Sequence, residues 1–143
     1  MALAKELSEL LGDTVAFYLR AHGYHWNVEG EDFYQYHGLF EDIYSDVYSS
    51  IDPLAENIRK LGEYAPFKLD TLIKLSSLEN GKVDTSPKAM AKDLLKGNEH
   101  IVGKLKSVFE TANSDNEQGI ANFIAERIDM HQKWSWQLKA SVK

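Results

Sequence analysis

The chain has no cysteine among its 143 residues, which excludes disulfides, thiolate metal sites and thiol catalysis. Proline is scarce, at three residues. No apolar run approaches the roughly 18–20 residues that a membrane span requires. The first ten residues, MALAKELSEL, already carry helical periodicity. They lack the basic start and continuous apolar stretch of a secretory signal, so a cytoplasmic protein is expected. Positive charge is also short: 16 Lys and Arg stand against 22 Asp and Glu, a formal net charge of −6. Neutralising phosphates needs a Lys/Arg surface, so the balance disfavours a general nucleic-acid binder and suits a protein that attracts cations. The length fits one domain, residues 1–143, with enough chain to bury a core. Nothing reads as strand alternation, repeat or low-complexity tract.

What is present is helical periodicity. Leu3, Leu7, Leu10, Thr14, Phe17, Ala21 and Tyr24 draw one apolar stripe along a helix over about residues 2–28. Gly30 supplies a turn, and Asp32 with Gln35 forms a capping pair for a second helix running to about Lys60. The second stripe is Phe40, Tyr44, Val47, Ile51, Leu54, Ile58 and Leu61, with Gly62 ending the helix. Pro53 falls inside it and reads as a kink, because the stripe stays in phase on both sides; termination at Ile51 is the competing reading. Residues 63–85 form a long connection with a short helix around 68–76 and a turn at Asn80-Gly81. Ser86-Pro87 opens a third main helix to about Thr111, burying Leu94, Ile101, Leu105 and Val108. Ser114 with Glu117 reads as a capping box for the last helix, whose buried side is Ile120, Ile124, Ile128, His131, Trp134 and Leu138. Two long helices, a long crossover with a short extra helix, and two more long helices make an all-α four-helix bundle of ferritin-like layout.

The chemistry concentrates in His25, His37, Glu41, Asp52 and Glu56. On the second helix, His37, Glu41, Tyr48, Asp52 and Glu56 share an arc roughly 100° from the apolar stripe. His37/Glu41 and Asp52/Glu56 are both i,i+4 pairs, each able to present two ligands to one point. Any single such pair is more often a solvated face; two on one arc, with a histidine beside the turn, are less ordinary. His37 and Asp52 are fifteen residues apart, roughly 22 Å along a helix, whereas metal–ligand bonds are about 2.0–2.2 Å. One helix therefore cannot bring both pairs to one ion. A second copy lying antiparallel across a twofold axis can, giving reciprocal sites. His22 reads as a packed histidine, with a supporting partner to a metal ligand or an auxiliary metal site as the alternatives. His100 and His131 have no metal-spaced partner and read as structural. No Glu-x-x-His occurs, which argues against a di-iron centre inside one bundle.

The segment His22, His25, Trp26, Asn27, Gly30, then Phe33, His37, Phe40, then Asp52, Ala55, Glu56, Ile58 and Gly62 resembles the Dps family of mini-ferritins. The likeness is strong over about residues 15–65. It is looser through Tyr64-Ala65-Pro66 and Leu75-Ser76-Ser77, and returns at His131 to Lys139. The resemblance implies a homo-oligomeric shell of twelve subunits with iron as the metal. Ferrous iron would be oxidised by peroxide or dioxygen at twofold interfaces and stored as ferric product. It assigns His25, His37 and Glu41 to one subunit, and Asp52 and Glu56 to its mate. Asp is usual at the position of Glu41, so the longer side chain departs from the pattern. Trp26 would lie beside the centre, with Trp26, Tyr24 and Tyr48 as electron donors, although packing is the simpler role for Tyr24. Asp115 and Glu117 fall where the family places acids lining iron-entry pores, but capping also explains them. Lysine-rich tails bind DNA in many members. Here Lys5 is the only basic residue of the first nineteen, and strong DNA binding is not expected. A non-catalytic metal buffer or DNA-associated structural oligomer is the alternative function.

Overall fold

The structure is a computed structural model that describes residues 1–79 and 86–143. The described residues form five helices and no strand: α1 (Ala2–Asn27), α2 (Phe33–Lys60), α3 (Leu69–Leu75), α4 (Pro87–Ser114) and α5 (Gln118–Ser141). The four long helices have 24 to 28 residues, so each spans roughly 36–42 Å. α1 packs against α2 and α4, α4 against α5, and α3 lies on α1. This is the ferritin-like bundle with one crossover. The expected Asn80-Gly81 turn lies outside the described residues. Among them, no helix is long and apolar enough to cross a membrane.

Pro53 does not end α2, and the helix runs unbroken past it. The carbonyl that loses its donor belongs to exposed Ser49, where water can take the bond, so the usual cost of an interior proline is reduced. Two caps differ from expectation. Asp32 occupies the N-cap of α2, but its backbone is left-handed (φ 62°) and its side chain caps nothing. Side-chain capping needs an extended backbone at that position, so Asp32 contributes only its carbonyl, which accepts from the Tyr36 N–H. Ser114 does not open α5 either. α4 continues through it and closes in a Schellman turn, with Asn116 left-handed and the Glu117 N–H donating to the Ala112 carbonyl at 2.9 Å. Glu117 then begins α5 without a side-chain cap. Ser86 and Pro87 open α4 as expected, the Ser86 hydroxyl accepting from Ala89 N–H.

The α2 stripe is rotated slightly from its expected position. Phe40, Val47, Leu54 and Ile58 are buried, but Tyr44, Ile51 and Leu61 are half-buried, while Ile43 and Asn57 face inward. Ile128 is likewise half-buried, and its neighbour Arg127 is the buried residue. A polar network accounts for that cation. Arg127 donates twice to Asp46, at 2.9 Å each, and Trp134 Nε1 donates to the same carboxylate at 2.8 Å. Arg127 also reaches Nε2 of His131, whose Nδ1 donates to Asn98 Oδ1 at 2.7 Å. The crossover is tied by Asp13, which is fully buried on α1. It accepts from the Ser76 hydroxyl and the Ser77 N–H, and Ser77 meets His100 at 2.8 Å. Gly12 makes the approach possible, since a Cβ there would sit 2.8 Å from the Leu72 carbonyl oxygen. His100 and His131 are thus placed in structural networks.

Burial, reinforced by the Arg127 charge, pushes His131 down from 6.5 to about 3. The folded chain therefore leaves it neutral while the unfolded chain takes up a proton below pH 6.5. Its contribution is intact above that pH and is lost as pH falls toward 3, at up to about 1.4 kcal/mol per pH unit. Burial alone would raise Asp46, but the bonds from Arg127 and Trp134 outweigh it and hold the carboxyl below its usual 3.8. Its contribution is kept above 3.8 and lost only at lower pH. Denaturant unfolding between pH 7 and pH 4 is expected to show a steeper acid loss for the native chain than for His131→Gln. Equal slopes would contradict a buried neutral His131.

Candidate metal centre

The corner between α1 and α2 is short, and two histidines staple it. α1 ends at Asn27 because Val28 turns extended; Gly30 (φ 107°) and Asp32 then reverse the chain. Across this corner, Nδ1 of His25 donates to the His37 carbonyl at 2.8 Å, and Nδ1 of His37 donates to the His25 carbonyl at 2.7 Å. The rings stack with centroids 3.7 Å apart. Phe33 stacks on the outer side of His37 at 4.8 Å. A carbonyl can only accept, so each ring carries its proton on Nδ1 and keeps a lone pair on Nε2. That is how metal-binding imidazoles are commonly oriented. Glu41 Oε1 is 3.9 Å from His25 Nε2.

Three of the five candidate ligands are therefore gathered at one corner. Asp52 and Glu56 are exposed further along α2, roughly 22 Å from His37 by helical rise. Among the described residues, no three His, Asp or Glu side chains of one chain are grouped so as to hold an ion. Asp115 is exposed in the α4–α5 turn, and half-buried Glu117 begins α5.

Aromatic side chains flank the corner. His22 stacks on Tyr44 at 3.8 Å, meets Trp26 at 4.2 Å, and bonds through Nδ1 to the Tyr18 hydroxyl at 2.8 Å. Burial, then the neighbouring His25, lower the pKa of His22. Burial, then the nearby Tyr48 and Tyr44, raise that of Tyr18. Tyr44, expected in the core, is half-buried against it and also lies 5.1 Å from the His25 ring. Tyr24 is turned elsewhere: its hydroxyl donates to Asp93 at 2.5 Å and its ring lies 6.2 Å from that of Phe40. Tyr18 was not among the residues singled out by the sequence. Its signal is spacing, since Tyr18, His22 and Trp26 fall four residues apart on one helix face.

A model of the ferritin-like domain matches residues 4–143. The chain is 30% identical over 137 residues to the DNA protection during starvation protein of Helicobacter pylori, covering 95% of each. The chain belongs to the Dps proteins of the ferritin-like family. A Haemophilus influenzae relative, itself uncharacterised, is 28% identical over 141 residues, covering 99% of this chain and 88% of the relative. The crystal structure of the Vibrio cholerae Dps protein, described as a ferritin-like diiron-carboxylate protein, superposes with TM-score 0.95 at 27% identity. It covers 99% of this chain and 89% of that one. The Dps corner geometry makes a direct prediction for the metal-free protein. Long-range nitrogen–proton NMR correlations are expected to show His25 and His37 in the Nδ1–H form. Finding the Nε2–H form at either ring would remove the basis for its metal role.

Proposed function

We propose that the chain is a ferroxidase that binds Fe2+ at centres completed across a twofold axis and stores the ferric product inside a closed homo-oligomer of twelve subunits in the cytoplasm. In each centre His25, His37 and Glu41 come from one subunit, and Asp52 and Glu56 from the other. The observation that carries this is the pair of Nδ1 bonds at the corner, which leave two imidazole lone pairs beside Glu41. Imidazole with carboxylate suits iron, and few ligands from each chain leave room for an oxidant. Two ferrous ions would each give one electron to peroxide; its O–O bond breaks, and two protons complete two waters. Dioxygen is the alternative acceptor.

A second copy is supported by what a lone chain leaves bare. Trp26 near the corner and Tyr48 further along α2 are about 60% exposed, and the crossover presents Tyr64, Phe67, Leu69 and Ile73, each 74% exposed or more. So much large apolar surface is the mark of an interface. Glu41 extends the carboxylate by one methylene where Asp is usual, which shifts its oxygens outward toward the partner. Asp115 and Glu117 are proposed as acids guiding cations at a further symmetry axis. The net charge of −6 favours cation uptake and gives no support to strong DNA binding.

Subunit mixing tests the sharing. His25→Ala/His37→Ala and Asp52→Asn/Glu56→Gln homo-oligomers are each expected to lose ferrous oxidation. Dissociated and reassembled together in equal amounts, they form mixed dimers in which one of two centres has every native ligand. Random pairing then restores about a quarter of native activity. No recovery, with reassembly verified by light scattering, would rule out a centre shared in this way.

A further inference from the structure

We infer that Phe33 is a positioning residue for the proposed centre: its ring holds the plane of His37 and thereby aims the Nε2 lone pair. The inference rests on the ferroxidase reading for what that lone pair binds, and on the corner's own geometry for how it is aimed. The Nδ1 bond to the His25 carbonyl, at 2.7 Å, decides which nitrogen of His37 is bare. It does not by itself decide where that nitrogen points. The second side-chain torsion of a histidine is broad, and a hydrogen bond keeps most of its strength through about 30° of misalignment. A metal constellation must be held within roughly 10–20°. One bond is therefore too loose, and a second constraint on the ring is required.

The stack supplies it. His25 lies against one face of His37, with centroids 3.7 Å apart and planes 15° from parallel. Phe33 covers the other face at 4.8 Å and 22°. A ring clamped between two near-parallel neighbours cannot tilt without closing on one of them. His25 needs no such cover, because His37 lies on it and the Tyr44 ring meets it edge-on at 5.1 Å and 66°. Phe33 is itself set by backbone. It is the first residue of α2, its N–H donates to the Gly30 carbonyl at 3.2 Å, and it precedes His37 by one helical turn. Core packing does not explain the phenyl, which is 40% exposed and lies outside the buried cluster. The flat neighbour that its ring meets is His37.

The test reads the ring without metal and the site with Co2+, a redox-stable stand-in for Fe2+. In the assembled metal-free protein, carbon-13 relaxation is expected to show the native His37 ring as rigid as the backbone around it. Phe33→Leu keeps an apolar side chain but no flat face. It is expected to loosen the His37 ring, leave the Nδ1–H form in place, and weaken Co2+ binding by about tenfold. Phe33→Tyr restores the face and is expected to restore both rigidity and affinity. A native His37 ring that is already mobile would overturn the proposal, whatever the variants do. So would a Phe33→Leu ring as rigid as the native one, native Co2+ affinity beside a loosened ring, or a Phe33→Tyr variant as loose and weak as Phe33→Leu. Native protein that takes up no Co2+ at the corner would count instead against the ferroxidase reading, and the ring measurements would still decide the role of Phe33.

Discussion

The exchange of hydrogen bonds between His25 and His37 constrains the candidate centre more than any other contact. Each imidazole proton satisfies the other residue's main-chain carbonyl, at the end of α1 and in the first turns of α2. One pair of bonds does three things. It satisfies main-chain acceptors near the helix ends, fixes the angle at which α2 leaves the corner, and selects the tautomer with Nε2 free. Because the imidazole protons go to backbone rather than to other side chains, Glu41 is left free to reach outward. Loss of either histidine would therefore disturb the corner as well as the ligand set.

The bundle interior is closed to the same chemistry. Between α2, α4 and α5 the polar groups are a guanidinium clamped on one carboxylate, a neutral imidazole and an amide. The carboxylate of that network, Asp46, already has Arg127 and Trp134 on its oxygens, and a fixed cation beside it repels metal ions. The ligands proposed for the metal lie instead on the outer face of α2 and at the corner, with a second subunit supplying the remainder. The Asp13 latch on Ser76 and Ser77 serves the same arrangement by seating the crossover on α1. It brings the bare apolar side chains of the crossover to the outside of the molecule.

Much of this was legible in the residues. The four stripes gave the long helices to within a few positions, because apolar period is set by the core each helix faces. Pro53 was readable as internal since the stripe stayed in phase. The i,i+4 pairs on α2 are the source of the proposed ligand face, and the distance between them is the source of the proposed second chain. What stayed hidden depended on contacts distant in sequence or on backbone angle. Arg127 looks like a surface residue until Asp46, 81 positions away, comes beside it. Asp32 and Ser114 have capping chemistry but not the backbone to use it. Tyr44 sat on the apolar stripe, and its place against His22 required knowing how α1 lies on α2. Tyr18 was detectable by its spacing from His22 and Trp26.

The central claim is that the centre belongs to two chains. Crystals soaked with ferrous iron, with anomalous scattering recorded at the iron edge, test it most directly. The account predicts anomalous peaks in twofold-related pairs, about 2.0–2.2 Å from an imidazole Nε2 of the corner in one subunit. The carboxylates of Asp52 and Glu56 on the same peaks would come from the other subunit. Peaks inside a single bundle around Asp46, or at the corner with no carboxylate from a second subunit, would contradict it.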